Sequence, residues 1–520
     1  MRSLHPAAAT REPSLRRITG DQPRALFDTL ATRRIEQALA AQCPPHTLMQ
    51  RAGLAVARLA QAIAPHARSA WVVCGAGNNG GDGLEAAFHL HRAGRAVTVT
   101  WLGRPDTVPP DALASYQRAT MAGVVFSDSP PPGMGPDDVC VDALLGIGLS
   151  GGGKPRVADP RVQHLLARLH AAPAPVLCVD TPSGLSADTG QFAPGLTPPA
   201  GVAVSPRHTL ALLTLKPGLF TGDGRDAAGQ VWLDDLGAGS AKWAPCAWLA
   251  AAPPHAHRAH ASHKGSYGDV AVVGGEGLQA RGMGMTGAAL LAASAALHAG
   301  AGRVMVALLD EGDLSIDALQ PECMLRRFDA LRLDHGAVVC GCGGGEAVRA
   351  VLPRVLAEAH RLVLDADALN AVAGDPSLAK ALQERAAKGW HTVLTPHPLE
   401  AARLSGQETQ DIQADRLGAA SRLAQRFGCA VVLKGSGSVI AAPGQTPRIN
   451  PTGNARLATG GTGDVLAGLL GARLAAAKSA PDAAFEAAIS ACWMHGQVAD
   501  QWPPGKALTA SALARQLSPG

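Results

Sequence analysis

The stretch Asn450 to Gly468, NPTGNARLATGGTGDVLAG, constrains this chain more than any other. Its centre, Gly460-Gly461-Thr462-Gly463-Asp464, runs straight into the apolar Val465, Leu466 and Ala467. That order predicts a glycine-rich turn opening into a helix. Glycines let such a turn take positive φ and come close to a bound group. The backbone N–H groups of Gly461, Thr462 and Gly463 then face that space, and the helix dipole favours negative charge there. An anion hole is expected, most simply for phosphate. A carboxylate at Asp464 would repel the phosphate, but it makes sense as a base that takes a proton from a hydroxyl lying beside it. Anion hole plus adjacent base is a phosphoryl-transfer arrangement. Taken alone, the motif fits equally well a helix start with an acidic first turn.

A chain of 520 residues predicts two or more domains. Hydrophobic residues make up 47 % and aromatics only 3 %, so the cores must be built from small aliphatic side chains. Lys and Arg total 46 against 42 for Asp and Glu, which offers no basic surface for nucleic acid. Cys74, Cys140 and Cys178 fall in apolar, strand-like runs, where a free thiol behaves as a small hydrophobe. A reducing, cytoplasmic setting is expected. The amino terminus carries Arg2, Arg11, Arg16 and Arg17 without the apolar core of a secretory signal. Residues 1–25 read as a disordered tail, with a transit peptide as the alternative. The apolar run from Met283 to Leu297 is too short to span a bilayer, so no membrane partner is expected.

Two α/β patterns follow one another. In the first, Trp71–Cys74 reads as a buried strand, Gly75 to Gly83 as a glycine loop, and Leu84 to about Ala93 as a helix. This is the opening unit of a doubly wound parallel sheet. Gly75, Gly77 and Gly80 fit G-x-G-x-x-G, but Trp101 and Leu102 stand where an ordinary NAD site needs an acid. Asp142 and Asp180 each follow an apolar strand, and Ser183 lies just beyond. With Asn79 they would meet in one crevice at the carboxyl ends of the strands; as turn and cap residues they would do no more than shape loops. Residues 246–262 read as a linker. Its His255, His257 and His260, with His263 just beyond, suggest either a metal site or a solvated segment, and no Cys or carboxylate joins them. From Gly268 a second set of strands ends in Gly274-Gly275, Gly341–Gly345, Asp365–Asn370, Thr395–Pro398 and Lys434–Ser438. Cys340 and Cys342 read as buried thiols. His397, between two prolines, reads as a binding residue in a rigid loop.

These motifs resemble one family. GNNGGDG (77–83), VDALLGIGLSGG (141–152) and VDTPSGLSADTG (179–190) are similar to an NAD(P)H-hydrate epimerase domain. HKGSYG (263–268), DADALN (365–370), LTPHPLE (394–400), LKGSGS (433–438) and the 450–468 stretch are similar to an ADP-dependent NAD(P)H-hydrate dehydratase. Together the chain resembles the bifunctional NAD(P)H-hydrate repair enzymes. The alternative is a ribokinase-type small-molecule kinase fused to a non-catalytic Rossmann-like domain.

The resemblance implies a Rossmann-like epimerase domain over 26–245 and a ribokinase-like dehydratase domain over 263–520. In the first, Asn78, Asn79, Gly80, Gly81, Asp82, Gly146, Ile147, Gly148, Leu149, Ser150, Gly151, Gly152 and Asp180 would hold the hydrated dinucleotide. Asp180 would also assist catalysis, and Asn79, Asp142 and Ser183 would hold K+. In the second, Lys434, Gly435, Ser436, Gly437, Ser438 and Gly463 would hold ADP, with Mg2+ as the accompanying ion. Ala288, Gly343, His397 and Asp464 would contact the hydrated NADH or NADPH, and Asp464 would be the base. A homo-oligomer is expected. Three positions depart from the family pattern: Gln50 where an acid is usual, and Cys342 and Ala455 where prolines are usual.

Overall fold

The computed structural model describes residues 15–150, 159–198, 206–239, 242–254, 258–309, 314–478 and 480–519. The chain divides into two compact units. The first holds residues up to Thr19 together with Ala25–Leu219 and Asp223–Cys246; the second holds Gly20–Arg24, Phe220–Gly222 and the chain from Ala247 onward.

The first unit is a sheet in the spatial order Leu15–Arg17, Gln230–Asp234, Arg207–Leu212, Val176–Val179, Val139–Ala143, Ser69–Cys74, Ala96–Trp101, Val125–Phe126. All its pairs are parallel except the first. Alternate residues serve opposite faces, as the pleat requires. Val72 and Cys74 pack under the helices Thr47–Ile63 and Asn78–Arg92, while Trp71 and Val73 meet the helix Pro160–Ala171. The chain moves outward from Ser69–Cys74 in one direction and then restarts at Val139–Ala143 in the other. This reversal is a topological switch point.

In the second unit the strands run Met324–Leu325, Arg303–Leu308, Asp269–Gly274, Ala337–Cys340, Arg361–Leu364, His391–Leu394, Ala430–Leu433, Val439–Ala441, Arg448–Ile449, Ala247–Leu249. The direction reverses between Asp269–Gly274 and Ala337–Cys340, so this sheet has its own switch point. Four helices, Thr286–His298, Thr462–Ala476, Ala483–Asp500 and Ala510–Gln516, bury one face. Small residues allow close approach there. A Cβ on Gly468 would lie 1.9 Å from the Ala292 carbonyl oxygen, and one on Gly471 would lie 2.4 Å from Val339 Cγ2. Those two glycines seat the helix Thr462–Ala476 directly on the sheet and so fix the turn at its start.

Three expectations change. The tail is shorter than residues 1–25, because Leu15–Arg17 is an edge strand paired with Trp232–Asp234. The linker is shorter than 246–262, because Ala247–Leu249 pairs with Arg448–Ile449 in the second sheet. The glycine loop after Cys74 is also shorter, since the helix begins at Asn78 and not at Leu84. His255 and His257 lie outside the described residues. His263 caps the short helix Lys264–Tyr267, accepting from the Gly265 N–H at 3.1 Å, which gives that imidazole a structural duty.

Two candidate active sites

At the first switch point the loops after Cys74 and Ala143 press together. A Cβ on Gly75 would meet the Leu144 carbonyl oxygen at 1.9 Å. Beside them opens a cleft of about 680 Å³, lined by Asn78, Asn79, Asp82, Gly146, Ile147, Gly148 and Asp180, with Glu36, His46 and Asp111 added. Gly80 and Gly81 do not line it. Both are buried, and a Cβ would strike Gly75 from one and Met49 from the other. Both pack the helix onto the sheet. The side chains of Leu149 and Ser150 and all of Gly151 and Gly152 lie outside the described residues.

Asp180 is held in a left-handed conformation, φ 68°, which non-glycine residues rarely adopt. Its carboxylate accepts the Leu212 N–H at 3.0 Å and pairs with the Lys216 ammonium, which is wholly buried and also donates to the Leu212 carbonyl at 2.8 Å. Burial, then the charge of Asp180, push the Glu36 carboxyl above its usual range. Burial, then Asp180 and Glu36, push Asp82 well above it. The cleft thus joins an ion-paired carboxylate to carboxyls that favour keeping their protons.

Beneath the cleft, Ser183 Oγ donates to Asp142 Oδ1 at 2.5 Å and Ser183 N–H to Oδ2 at 3.1 Å. The Leu145 N–H reaches Ser183 Oγ at 2.8 Å. The next residue, Gly146, lies against Asn79: a Cβ on it would be 3.1 Å from that side chain. Asn79 Nδ2 is buried without a hydrogen-bond partner. Turning the amide over would put an oxygen there; together with the Asp142 and Ser183 oxygens, that donor type suits a hard cation. Gln50 takes no place in the cleft lining; its amide meets His46 Nδ1 at 3.2 Å. His46 continues through Ser115 to the buried Glu85, which also pairs with Arg118 at 3.0 Å.

The second switch point carries a different set. Gly341, Gly343 and Gly345 all take positive φ. Gly343 is wedged against Ala288, so those two predicted residues do meet. Between them in sequence, Cys342 is buried, and its Sγ and carboxylate oxygens of Asp365 and Asp464 all lie within 4.8 Å of one another. Asp365 is committed: Lys434 Nζ and Thr395 Oγ1 each approach Oδ1 at 2.7 Å. Asp464 is pushed up to about 7, first by burial and then by the charge of Asp365.

The helix Thr462–Ala476 starts at Gly461, φ 89°. A Cβ on Gly463 would touch only Lys434 Nζ, at 3.5 Å. The ammonium therefore stands at the helix start, within reach of Asp365 and 4.0 Å from Glu400. Of the three expected anion-hole donors, Thr462 N–H is engaged by the Thr459 carbonyl at 3.4 Å, which leaves the hole to its neighbours. Gly435 and Gly437 take φ 139° and 61° and Ser436 and Ser438 sit between and after them, so the 434–438 loop is shaped by its glycines. His397 is corrected in part. Its Nδ1 accepts the Leu399 and Glu400 N–H groups at 3.2 and 3.3 Å, while its own N–H donates to Glu400 at 2.7 Å. It is a helix cap that fixes Glu400.

Two models of known families match the chain: one described as NAD(P)H-hydrate dehydratase over residues 272–519, the other as YjeF-related protein N-terminus over 45–218. The bifunctional NAD(P)H-hydrate repair enzyme Nnr of Escherichia coli is 36 % identical over 475 residues, covering 88 % of this chain and 85 % of its own. The chain belongs to the bifunctional NAD(P)H-hydrate repair enzymes. The Coxiella burnetii enzyme of the same name is 33 % identical over 92 % of this chain and 94 % of its own. A solved structure of the ADP/ATP-dependent NAD(P)H-hydrate dehydratase from Bacillus subtilis, co-crystallised with ATP and Mg2+, is 28 % identical over 50 % of this chain and 91 % of its own, with a TM-score of 0.39.

Several site residues of this repair enzyme escape a reading of the sequence. Glu36 and Lys216 reach the first site from distant segments. At the second, Glu276 is buried, accepting from Arg281 at 2.7 Å and from the Ala347 N–H at 3.0 Å, and so braces the Gly341–Gly345 loop. Arg416, also buried, donates to the carbonyls of Leu433 and Lys434 at 3.3 and 3.2 Å and to Thr221 Oγ1 at 3.0 Å, holding the start of the 434–438 loop.

Proposed function

We propose that the first unit interconverts the R and S forms of hydrated NADH and NADPH, and that the second dehydrates the S form at the expense of ADP. The observation that carries this reading is Asp464: a carboxyl pushed up to about 7 at the start of a glycine-capped helix. A general base works best with a pKa near the operating pH. Asp464 takes the proton from the ring hydroxyl of the hydrate. That oxygen forms a bond to the terminal phosphorus of ADP as the bond to AMP breaks. The N–H groups of Gly461 and Gly463 and the Lys434 ammonium stabilise the phosphoryl oxygens. Phosphate then leaves with its carbon–oxygen bond, and the neighbouring ring carbon loses a proton to restore the double bond of NAD(P)H. The ADP phosphates would rest on Lys434, Gly435, Ser436, Gly437 and Ser438. Ala288, Gly343 and His397 would border the hydrated ring. Mg2+ fits as an ion carried by the nucleotide's own phosphates and waters, since Asp365 and Glu400 are already drawn to Lys434; it would neutralise phosphate charge.

In the first unit, Asn78, Asn79, Asp82 and Gly146 to Gly152 would hold the dinucleotide. Inversion needs the ring carbon to lose its hydroxyl and regain it on the other face. Glu36 or Asp82, which favour keeping their protons, would hand one to the departing oxygen, and the ion-paired Asp180 would receive one from the returning water. K+ held by Asn79, Asp142 and Ser183 would supply a fixed positive charge for the dinucleotide's phosphates. Ten cysteines, none paired in a disulfide, fit a reducing cytoplasm.

The test is incubation of the protein with both hydrate epimers, with and without ADP, while following absorbance of NAD(P)H. The reading requires ADP-dependent restoration that consumes both epimers. A small-molecule kinase would restore none.

A further inference from the structure

The Gly341–Gly345 loop delivers one buried side chain to the proposed base, and the reaction as written does not use it. We propose that Cys342 is a positioning residue for Asp464, its thiol proton a movable hydrogen-bond donor shared between Asp464 and Asp365. The inference rests on the dehydratase reading of the second unit.

Three observations support it. Cys342 Sγ lies within 4.8 Å of carboxylate oxygens of both acids, which are equally close to each other. Its Sγ lies 4.0 Å from Asp365 Oδ2, at the outer reach of a thiol donor. The loop is also fixed: the Gly275 and Glu276 N–H groups donate to the carbonyls of Cys342 and Gly343 at 2.9 and 2.7 Å. The thiol therefore stays between two carboxyls that repel each other when both are ionised. Asp365 already has a cation and a hydroxyl on its other oxygen. Asp464 gains most from one more donor, and a hydrogen bond from Cys342 lowers its affinity for protons. When Asp464 is ionised the S–H turns to it; once Asp464 has taken the substrate proton, the S–H returns to Asp365. The thiol itself stays protonated, since burial and then the charges of Asp464 and Asp365 hold it well above its ordinary range. The other charged and titratable groups around the pair are Lys434, Glu400, His397 and Asp367 from neighbouring loops, Glu276 with Arg281 behind the thiol, and His495, whose Nε2 meets the Thr462 carbonyl at 2.9 Å.

The test compares full-length wild type, Cys342→Ser and Cys342→Ala in ADP-dependent dehydration from pH 5 to 9. The wild-type rate should rise with an acidic limb near 7. Cys342→Ala should move that limb upward by about one pH unit, as loss of a hydrogen bond to a charged group implies, with the alkaline plateau and the KM for ADP unchanged. Cys342→Ser keeps a donor and should hold the limb in place. The same limb in all three proteins, or a drop in rate at every pH together with a lower Tm, would overturn the proposal. A measurement free of loop substitution is the S–H stretching band of the wild type. It should shift between pH 5 and pH 9 and stay fixed in Asp464→Asn; a band that ignores pH in both also overturns it. Failure of the dehydratase reading looks different, for then the wild type shows no ADP-dependent rate at any pH.

Discussion

The two units share the strand order of their parallel cores and differ in what their switch points hold. In each, the strand order reverses beside a glycine loop: after Cys74 in the first, after Gly274 and Cys340 in the second. In the first, a cleft lined by Asp82, Glu36 and Asp180 opens beside the packed loops. In the second, Cys342 and the positive-φ glycines close the gap, and the carboxylate proposed as base comes instead from the start of the helix Thr462–Ala476. A switch point supplies a place where loops meet; side chains from elsewhere decide the chemistry. Here one place suits exchange of a hydroxyl between faces, and the other suits moving a phosphoryl group.

The comparison can be broken first at Lys216. It is buried against Asp180, and Lys216→Met would leave that carboxylate unpaired, at a cost of about 3–5 kcal/mol. Calorimetry should show the first unit's transition at a clearly lower temperature with the second's unmoved. Adding Asp180→Leu should recover part of the loss without recovering epimerisation.

A smaller effect is expected at the cation corner. Asp142→Ala removes the acceptor of two Ser183 hydrogen bonds. Epimerisation should fall by roughly tenfold or more and lose its dependence on K+, with ADP-dependent dehydration of the pure S form unchanged. Equal rates in mutant and wild type, with and without K+, would remove the ion from the account.

A third effect distinguishes a carboxyl poised as a base from a structural one. Asp464 has a folded-state pKa raised to about 7 from 3.8. Its ionisation therefore opposes folding: the penalty is absent below 3.8, grows as pH rises between the two values, and is complete above 7. Asp464→Asn should raise the Tm of the second unit at pH 8 and leave it unchanged at pH 3.5, provided the unit is folded there. An Asp464 that merely caps the helix would give the opposite sign.

Much of this was legible in the sequence because glycine and valine carry strong local signals. The buried parallel strands, the loops after them and the helix opening at Thr462 all follow from apolar runs ending in glycine. Strands such as Arg207–Leu212 and Gln230–Asp234 did not, since polar residues interrupt their apolar pattern. The extent of the first glycine loop was misjudged because Asn78 and Asn79 resemble turn residues, whereas they start the helix. His397 could have been read as a cap: Pro398 at the first helical position and Glu400 at the third are the capping-box spacing. Glu85, Glu276 and Arg416 could not. A charged residue in a helical or loop segment looks solvated until the partner that buries it is known, and Lys216 finds Asp180 across 36 residues of chain.

The central claim is that each switch point runs its own chemistry, and crossed single variants test it most directly. Full-length Asp464→Asn and Asp180→Asn are each given the mixed hydrates with ADP, while the epimer ratio and NAD(P)H are followed together. Asp464→Asn should lose about 10²–10⁴-fold in NAD(P)H restoration, still bind ADP and still interconvert the epimers. Asp180→Asn should restore NAD(P)H only until the S form is spent. Near wild-type restoration by Asp464→Asn, or loss of both activities in either variant, would contradict the account.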